Sequence, residues 1–276
     1  MPFSKSKRTG FANHRLVVSW LFCSLITATT NIPLRDPTFD TMALEKLRDT
    51  WEGILNPILE TFSNVKPSTI TWVALPIGIL GGLAVLTSED SIYGANMLFG
   101  AGFLIVLAMA MDGLDGPLAR KYGNVSRWGD YLDHTFDRLL DAVWIICIAG
   151  SVFVGDLTLG LAAAWLTLLG SYMGTQAQAV AGSRNYRGFS RADRTILSVV
   201  AIFLTGIFIH AGVGDFGNYP GVLDHIPINP LSLVVLISAF GGLWTFLVRF
   251  QQAKSEIMRI DIEDPLPQPN QSESEE

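Results

Sequence analysis

Cysteine and charge are the scarce commodities of this chain. Of its 276 residues only two are cysteine, Cys23 and Cys147, both within apolar runs, so neither a disulfide framework nor a thiolate metal site is expected. Only 16% of the residues are charged against 49% hydrophobic, and the mean hydropathy is +0.37. That balance is a membrane protein's rather than a soluble domain's. The net charge of −6 says little about a site, because the Pro-, Ser- and Glu-rich end "DIEDPLPQPNQSESEE" supplies much of it and reads as disordered.

Charge-free runs lie at 69–87, 91–111, 157–183, 195–214 and 226–248. Each approaches the roughly 20 residues that cross a bilayer as a helix. The run at 142–155 is too short alone; a helix beginning near Asp130 is long enough, provided its charged first half faces protein or water. The expected fold is therefore an all-α integral membrane protein with six transmembrane helices. Lys and Arg are absent from 88–92, 155–157 and 212–229, whereas 119–131 holds Arg120, Lys121 and Arg127, and 183–194 holds Arg184, Arg187, Arg191 and Arg194. Positive-inside bias puts those two basic loops in the cytoplasm, in a multi-pass protein of the cell membrane.

Before the first span, "MALEKLRDTWEGILNPILETF" carries Leu44, Leu47, Trp51, Ile54, Leu55, Ile58 and Leu59 on one helical face, which suits an amphipathic helix lying in the interface. Residues 1–41 are a basic and apolar extension, either a signal sequence or anchor, or sequence upstream of a start at Met42. The expected organisation is 1–41 extension, 42–66 interfacial helix, 67–252 six-span domain and 253–276 acidic disordered tail.

The stretch "MDGLDGPLARKYGNVSRWGDYLDHTFDRLLD", residues 111–141, concentrates aspartate between two apolar runs. Asp112 and Asp115 are three apart, Asp133 and Asp137 four apart, so each pair shares a helix face. A short loop joining the two helices as neighbours would gather four carboxylates, which cannot all stay ionised without a counter-charge. Divalent cations supply one, and all-oxygen ligation suits Mg²⁺ or Mn²⁺ over zinc. Gly116, Ala119 and Gly129 leave helix surface bare for a ligand, and Arg120 offers a forked donor for phosphate. By spacing alone three readings stand: a two-metal phosphoryl-transfer enzyme, a cation pathway in a transporter, and structural ion pairing.

The pattern Asp112-x-x-Asp115-Gly116-x-x-Ala119-Arg120, eight residues, then Gly129-x-x-x-Asp133-x-x-x-Asp137 resembles the signature of the CDP-alcohol phosphotransferase family at every defined position. The resemblance implies transfer of a substituted phosphate from a CDP-activated lipid to a polar alcohol, with release of CMP. It implies that Asp112, Asp115 and Asp133 hold two Mg²⁺ or Mn²⁺ ions, that Asp137 completes the site as base on the acceptor hydroxyl, and that Gly116, Ala119, Arg120 and Gly129 line the CDP-lipid pocket. The implied partners are those substrates and the bilayer, with a homodimer allowed and no nucleic acid.

For the acceptor, "GFSRADRTIL" resembles the segment of members that use inositol phosphate, where Arg191 and Arg194 would converge on its phosphate. Glycerol phosphate and serine are the alternatives. In "SYMGTQAQAV" Gly174 and Gln176 stand where inositol-phosphate members usually carry Lys or Arg, as in archaeal members that use CDP-archaeol rather than CDP-diacylglycerol; likewise Ser68 follows Pro67 where relatives often have Asn.

Overall fold

Pro67 opens α1 (Pro67–Leu86), where its missing N–H costs nothing and its fixed φ suits a helix. Five further long helices follow: α2 (Ile92–Lys121), α3 (Arg127–Gly150), α4 (Leu157–Ala181), α5 (Arg191–His210) and α6 (Pro230–Glu263), with a 3-10 turn at Gly221–Leu223. Each helix after α1 starts on a polar cap that the loop before it supplies: Ser91, Ser126, Asp156, Ser190 and Asn229. The computed structural model describes residues 57, 59–183 and 187–266, and among these no strand forms beyond an isolated Asn218–Pro227 bridge.

The extension expected over 1–41 lies outside the described residues, as does most of the interfacial helix expected over 42–66. Of that helix, Leu59 is buried against Ile70 and Leu118.

Five of the helices, all but α3, are long and apolar enough to cross a membrane. Large apolar side chains such as Trp72, Phe103, Trp165 and Phe240 point outward, as lipid contact requires. α3 has 24 residues, but the part up to Asp141 carries Asp130, Asp133, Asp137, Arg138 and Asp141. α2 has 30 residues, about 45 Å at 1.5 Å per residue against a hydrocarbon core of roughly 30 Å. Its last turns, from Asp112 to Lys121, therefore have length to spare for a site.

Small residues on α1 govern the packing. A Cβ added at Gly78 would stand 2.7 Å from Leu140 of α3, and one at Gly81 would stand 2.8 Å from Ile105 of α2. Close backbone approach of this kind drives helix association where lipid removes the hydrophobic incentive. α2 thus packs mainly on α1, and α3 on α1 and α4 alike, with little contact between α2 and α3 although a short loop joins them. The Trp144 indole ties α3 to α1 by donating to the Gly78 carbonyl at 2.8 Å. On the other side α4 and α6 meet at Gly170 and Gly242.

α6 also departs from expectation, running to Glu263 where a disordered tail was expected from 253. The segment "QQAKSEIMRI" is made of good helix formers, which carry the helix on past the apolar run.

Candidate active site

Asp112 and Asp115 lie one turn apart on α2, while Asp133, Asp137 and Asp141 mark successive turns of α3. Asp112, Asp133 and Asp137 each offer an oxygen within 4.8 Å of the others. Asp115 is held apart from that group: its Oδ2 accepts a 2.6 Å hydrogen bond from Thr71 Oγ1 on α1. The gap that α1 keeps between α2 and α3 is thereby lined with acid from both sides.

Positive charge comes from α5. The Ser190–Asp193 capping box fixes its first turn and sets Arg191 and Arg194 beside the acids. Arg191 Nη1 donates to Asp112 Oδ2 at 2.9 Å and also pairs with Asp137. Arg194 Nη2 donates to Asp141 Oδ2 at 2.7 Å, and its Nη1 to the Phe189 carbonyl at 3.0 Å. Arg191 Nε lies 3.8 Å from Asp141, and Arg138 Nη1 lies 3.9 Å from it. Asp141 and Arg194 are only 3% and 4% exposed, so each needs the other: a buried charge left unpaired costs several kcal/mol.

Two cavities reach this cluster. One, of about 390 Å³, is lined by Lys66, Thr71, Asp115, Gly116, Ala119, Arg120, Gly129 and Asp133 among others. Here Arg120 folds over Gly116, where an added Cβ would stand 3.4 Å from its Nη1, and the Gly129 N–H donates to the cap hydroxyl of Ser126. The other, of about 420 Å³, is lined by Asp112, Arg138, Thr167, Ser171, Arg191, Arg194 and Arg249, with residues from α2 to α6. Four guanidinium groups and one carboxylate make that cavity basic. Thr167 Oγ1, also on its wall, is buried and makes no hydrogen bond.

The residue types fit a divalent cation: the three gathered donors are all carboxylate oxygens, the set a hard ion prefers. Asp115, outside that set of three, has its carboxylate oriented by the hydrogen bond from Thr71.

A family model described as CDP-alcohol phosphatidyltransferase matches residues 64–213, which span both cavities' aspartates and both arginines of α5. The chain belongs to the CDP-alcohol phosphatidyltransferase family. Phosphatidylinositol phosphate synthase of Cutibacterium acnes is 32% identical over 203 residues, covering 71% of this chain and 93% of that protein. Archaetidylinositol phosphate synthase of Pyrococcus horikoshii is 32% identical, covering 63% of this chain and 87% of that one. The fold is similar to that of Mycobacterium tuberculosis phosphatidylinositol phosphate synthase with CDP-DAG bound, at TM-score 0.55 and 23% identity over 72% of this chain and 93% of that one. The same protein in complex with manganese and citrate gives TM-score 0.55 and 21% identity, over 72% of this chain and 88% of that one. The chain is thus a transferase of a phospholipid-synthesising family, and the cation-transporter reading of its aspartates falls away.

Within this CDP-alcohol phosphatidyltransferase, sequence reasoning missed Thr71, Arg138, Thr167 and Arg249 and left Asp141 outside the site. For Asp141 a signal existed, since it continues the four-residue stripe of Asp133 and Asp137. The two arginines of α5 meet at Asp141, and Arg191 also reaches Asp112 and Asp137.

Proposed function

We propose that this chain moves the phosphatidyl or archaetidyl group of a CDP-activated lipid onto a hydroxyl of inositol phosphate, releasing CMP. In this reading α3 is the sixth span, and the site opens to the cytoplasm, where the basic loops lie. Asp112, Asp115, Asp133 and Asp137 would hold two Mg²⁺ or Mn²⁺ ions, which when bound draw charge from the reacting phosphate and the leaving CMP. The cavity with Gly116, Ala119, Arg120 and Gly129 takes the CDP-lipid. The arginine-lined cavity takes the acceptor, with Arg191 and Arg194 on the side of its phosphate. Asp137 accepts the proton of the attacking hydroxyl, whose oxygen bonds to the lipid-side phosphorus as the bond to CMP breaks.

The observation that carries the acceptor is the gathering of Arg138, Arg191, Arg194 and Arg249 around one cavity that also touches Asp112. Serine, whose single carboxylate is offset by its own ammonium, gives little reason for four guanidinium groups; an acceptor with its own phosphate does. The unpartnered hydroxyl of Thr167 suits the remaining hydroxyls of a polyol. The relatives named phosphatidylinositol phosphate and archaetidylinositol phosphate synthases support the same choice. Gly174 and Gln176, matching the archaeal pattern, favour CDP-archaeol as donor.

The test is CMP release by the purified protein with Mg²⁺, either CDP-archaeol or CDP-diacylglycerol, and one acceptor at a time. Release with inositol phosphate is expected, fastest with CDP-archaeol. Release with glycerol phosphate or serine alone would replace the acceptor.

A further inference from the structure

The third carboxylate of the α3 stripe does not belong to the metal cluster. Asp141 lines neither cavity, yet three guanidinium groups that line the basic one reach it: Arg194 at 2.7 Å, Arg191 at 3.8 Å and Arg138 at 3.9 Å. We propose that Asp141 is a positioning residue for anion binding, holding Arg138, Arg191 and Arg194 from behind the wall of the basic cavity so that together they receive the acceptor's phosphate. This rests on the acceptor reading above.

The charge balance makes the case. Three like charges in a poorly solvated pocket repel one another, and one buried carboxylate among them lowers that cost without cancelling it. Arg191 is also paired with Asp112 and Asp137, so the surplus positive charge that favours an anion comes from Arg249 on the same wall, and what Asp141 supplies is the placement of the other three guanidinium groups. Geometry divides the work among the arginines. Arg194, pinned between Asp141 and the Phe189 carbonyl, anchors the first turn of α5 to α3. Arg191 stands on that turn, so its reach toward Asp112 and Asp137 depends on the anchor. Asp133 and Asp137 thus serve the acid cluster, and one turn further Asp141 serves the basic cavity. Arg249 stands outside this arrangement, held by its own bonds to the Arg187 and Gly170 carbonyls at 2.9 and 3.0 Å.

The experiment uses the full chain in lipid nanodiscs with chelator present and inorganic phosphate as the probe, read as protection against thermal unfolding. Phosphate is expected to protect the wild-type protein, and Asp141→Asn to need about ten-fold more phosphate for equal protection. Equal protection of the two, or no protection of the wild type, would overturn the proposal. Should Asp141→Asn fail to fold, Asp141→Glu takes its place, keeping the charge but displacing it by one methylene. Several-fold weaker protection is then expected, and an unchanged response would count against the role.

Steady-state kinetics adds a readout that a merely structural residue would not move. The acceptor KM of Asp141→Asn is expected to rise about ten-fold with the CDP-lipid KM unchanged; equal changes in both would overturn the assignment. If inositol phosphate proves inert while phosphate protection still depends on Asp141, the acceptor reading fails and the positioning role stands.

Discussion

The two cavities on either side of the aspartates are built in opposite ways. The one assigned to the donor comes almost wholly from one stretch of chain, Asp115 to Asp133, closed by the opening turn of α1. The one assigned to the acceptor collects residues from Met109 to Arg249, on five helices and the turn before α5. A pocket made from contiguous chain can be written as a motif, and its chemistry travels with the family. A pocket made by helix packing can change its ligand through single substitutions on any of five helices.

The largest expected effect lies in the acid cluster between the cavities' two sets of residues, where Asp137 faces Asp112 and Asp133. Asp137→Ala should lower kcat by roughly a thousand-fold, the scale of a lost general base, with both substrates still bound; measuring kcat beside CDP-lipid binding checks this. Chelation should likewise abolish turnover, and Mn²⁺ or Mg²⁺ restore it, in a CMP-release assay.

A smaller effect is expected from the donor side. Thr71→Val removes the hydrogen bond to Asp115 while keeping the side chain's shape. A loss of about ten-fold in metal affinity or more is expected, the usual cost of an outer partner to a ligand, with Mn²⁺ titration as the measurement. An unchanged affinity would detach α1 from the site.

The smallest effect belongs to the far end of the bundle. Asp156 caps α4 through Leu159 N–H at 2.9 Å and meets His225 at 3.0 Å. The bond from Leu159, then burial working against it and His225 adding to it, leave its carboxyl below the ordinary carboxylate range. A carboxyl depressed on folding gives stability that is whole above its unfolded pKa, near 4, and is lost as pH falls through the folded value. Asp156→Asn keeps a cap but loses that charge, so it should cost no more than about 1 kcal/mol near neutral pH and flatten the decline below about pH 4. Thermal unfolding against pH reads this, and transfer activity should not move.

The same contrast explains what the sequence could tell. Apolar runs and polar caps locate the helices, and even α3 is legible once its acids are required to face protein. The extent of α6 was not, because a run of good helix formers looks the same whether or not other helices support it. The three- and four-residue spacings of the aspartates report a shared face at once. Thr71, Arg138, Thr167 and Arg249 gave no comparable signal, since their roles follow from which helices α1 and α4 draw together at Gly78, Gly81 and Gly170. The partition of the two arginines was likewise hidden: one turn of separation allows convergence, but only packing shows that Asp141 claims Arg194.

The central claim, that donor and acceptor enter separate cavities, is tested most directly by the KM for each substrate in Arg120→Gln and Arg191→Gln. Arg191→Gln should raise the acceptor KM by about ten-fold or more and leave the CDP-lipid KM within about two-fold, with Arg120→Gln doing the reverse. If both variants raise the same KM, or neither shifts one selectively, the division of the site proposed for this enzyme is wrong.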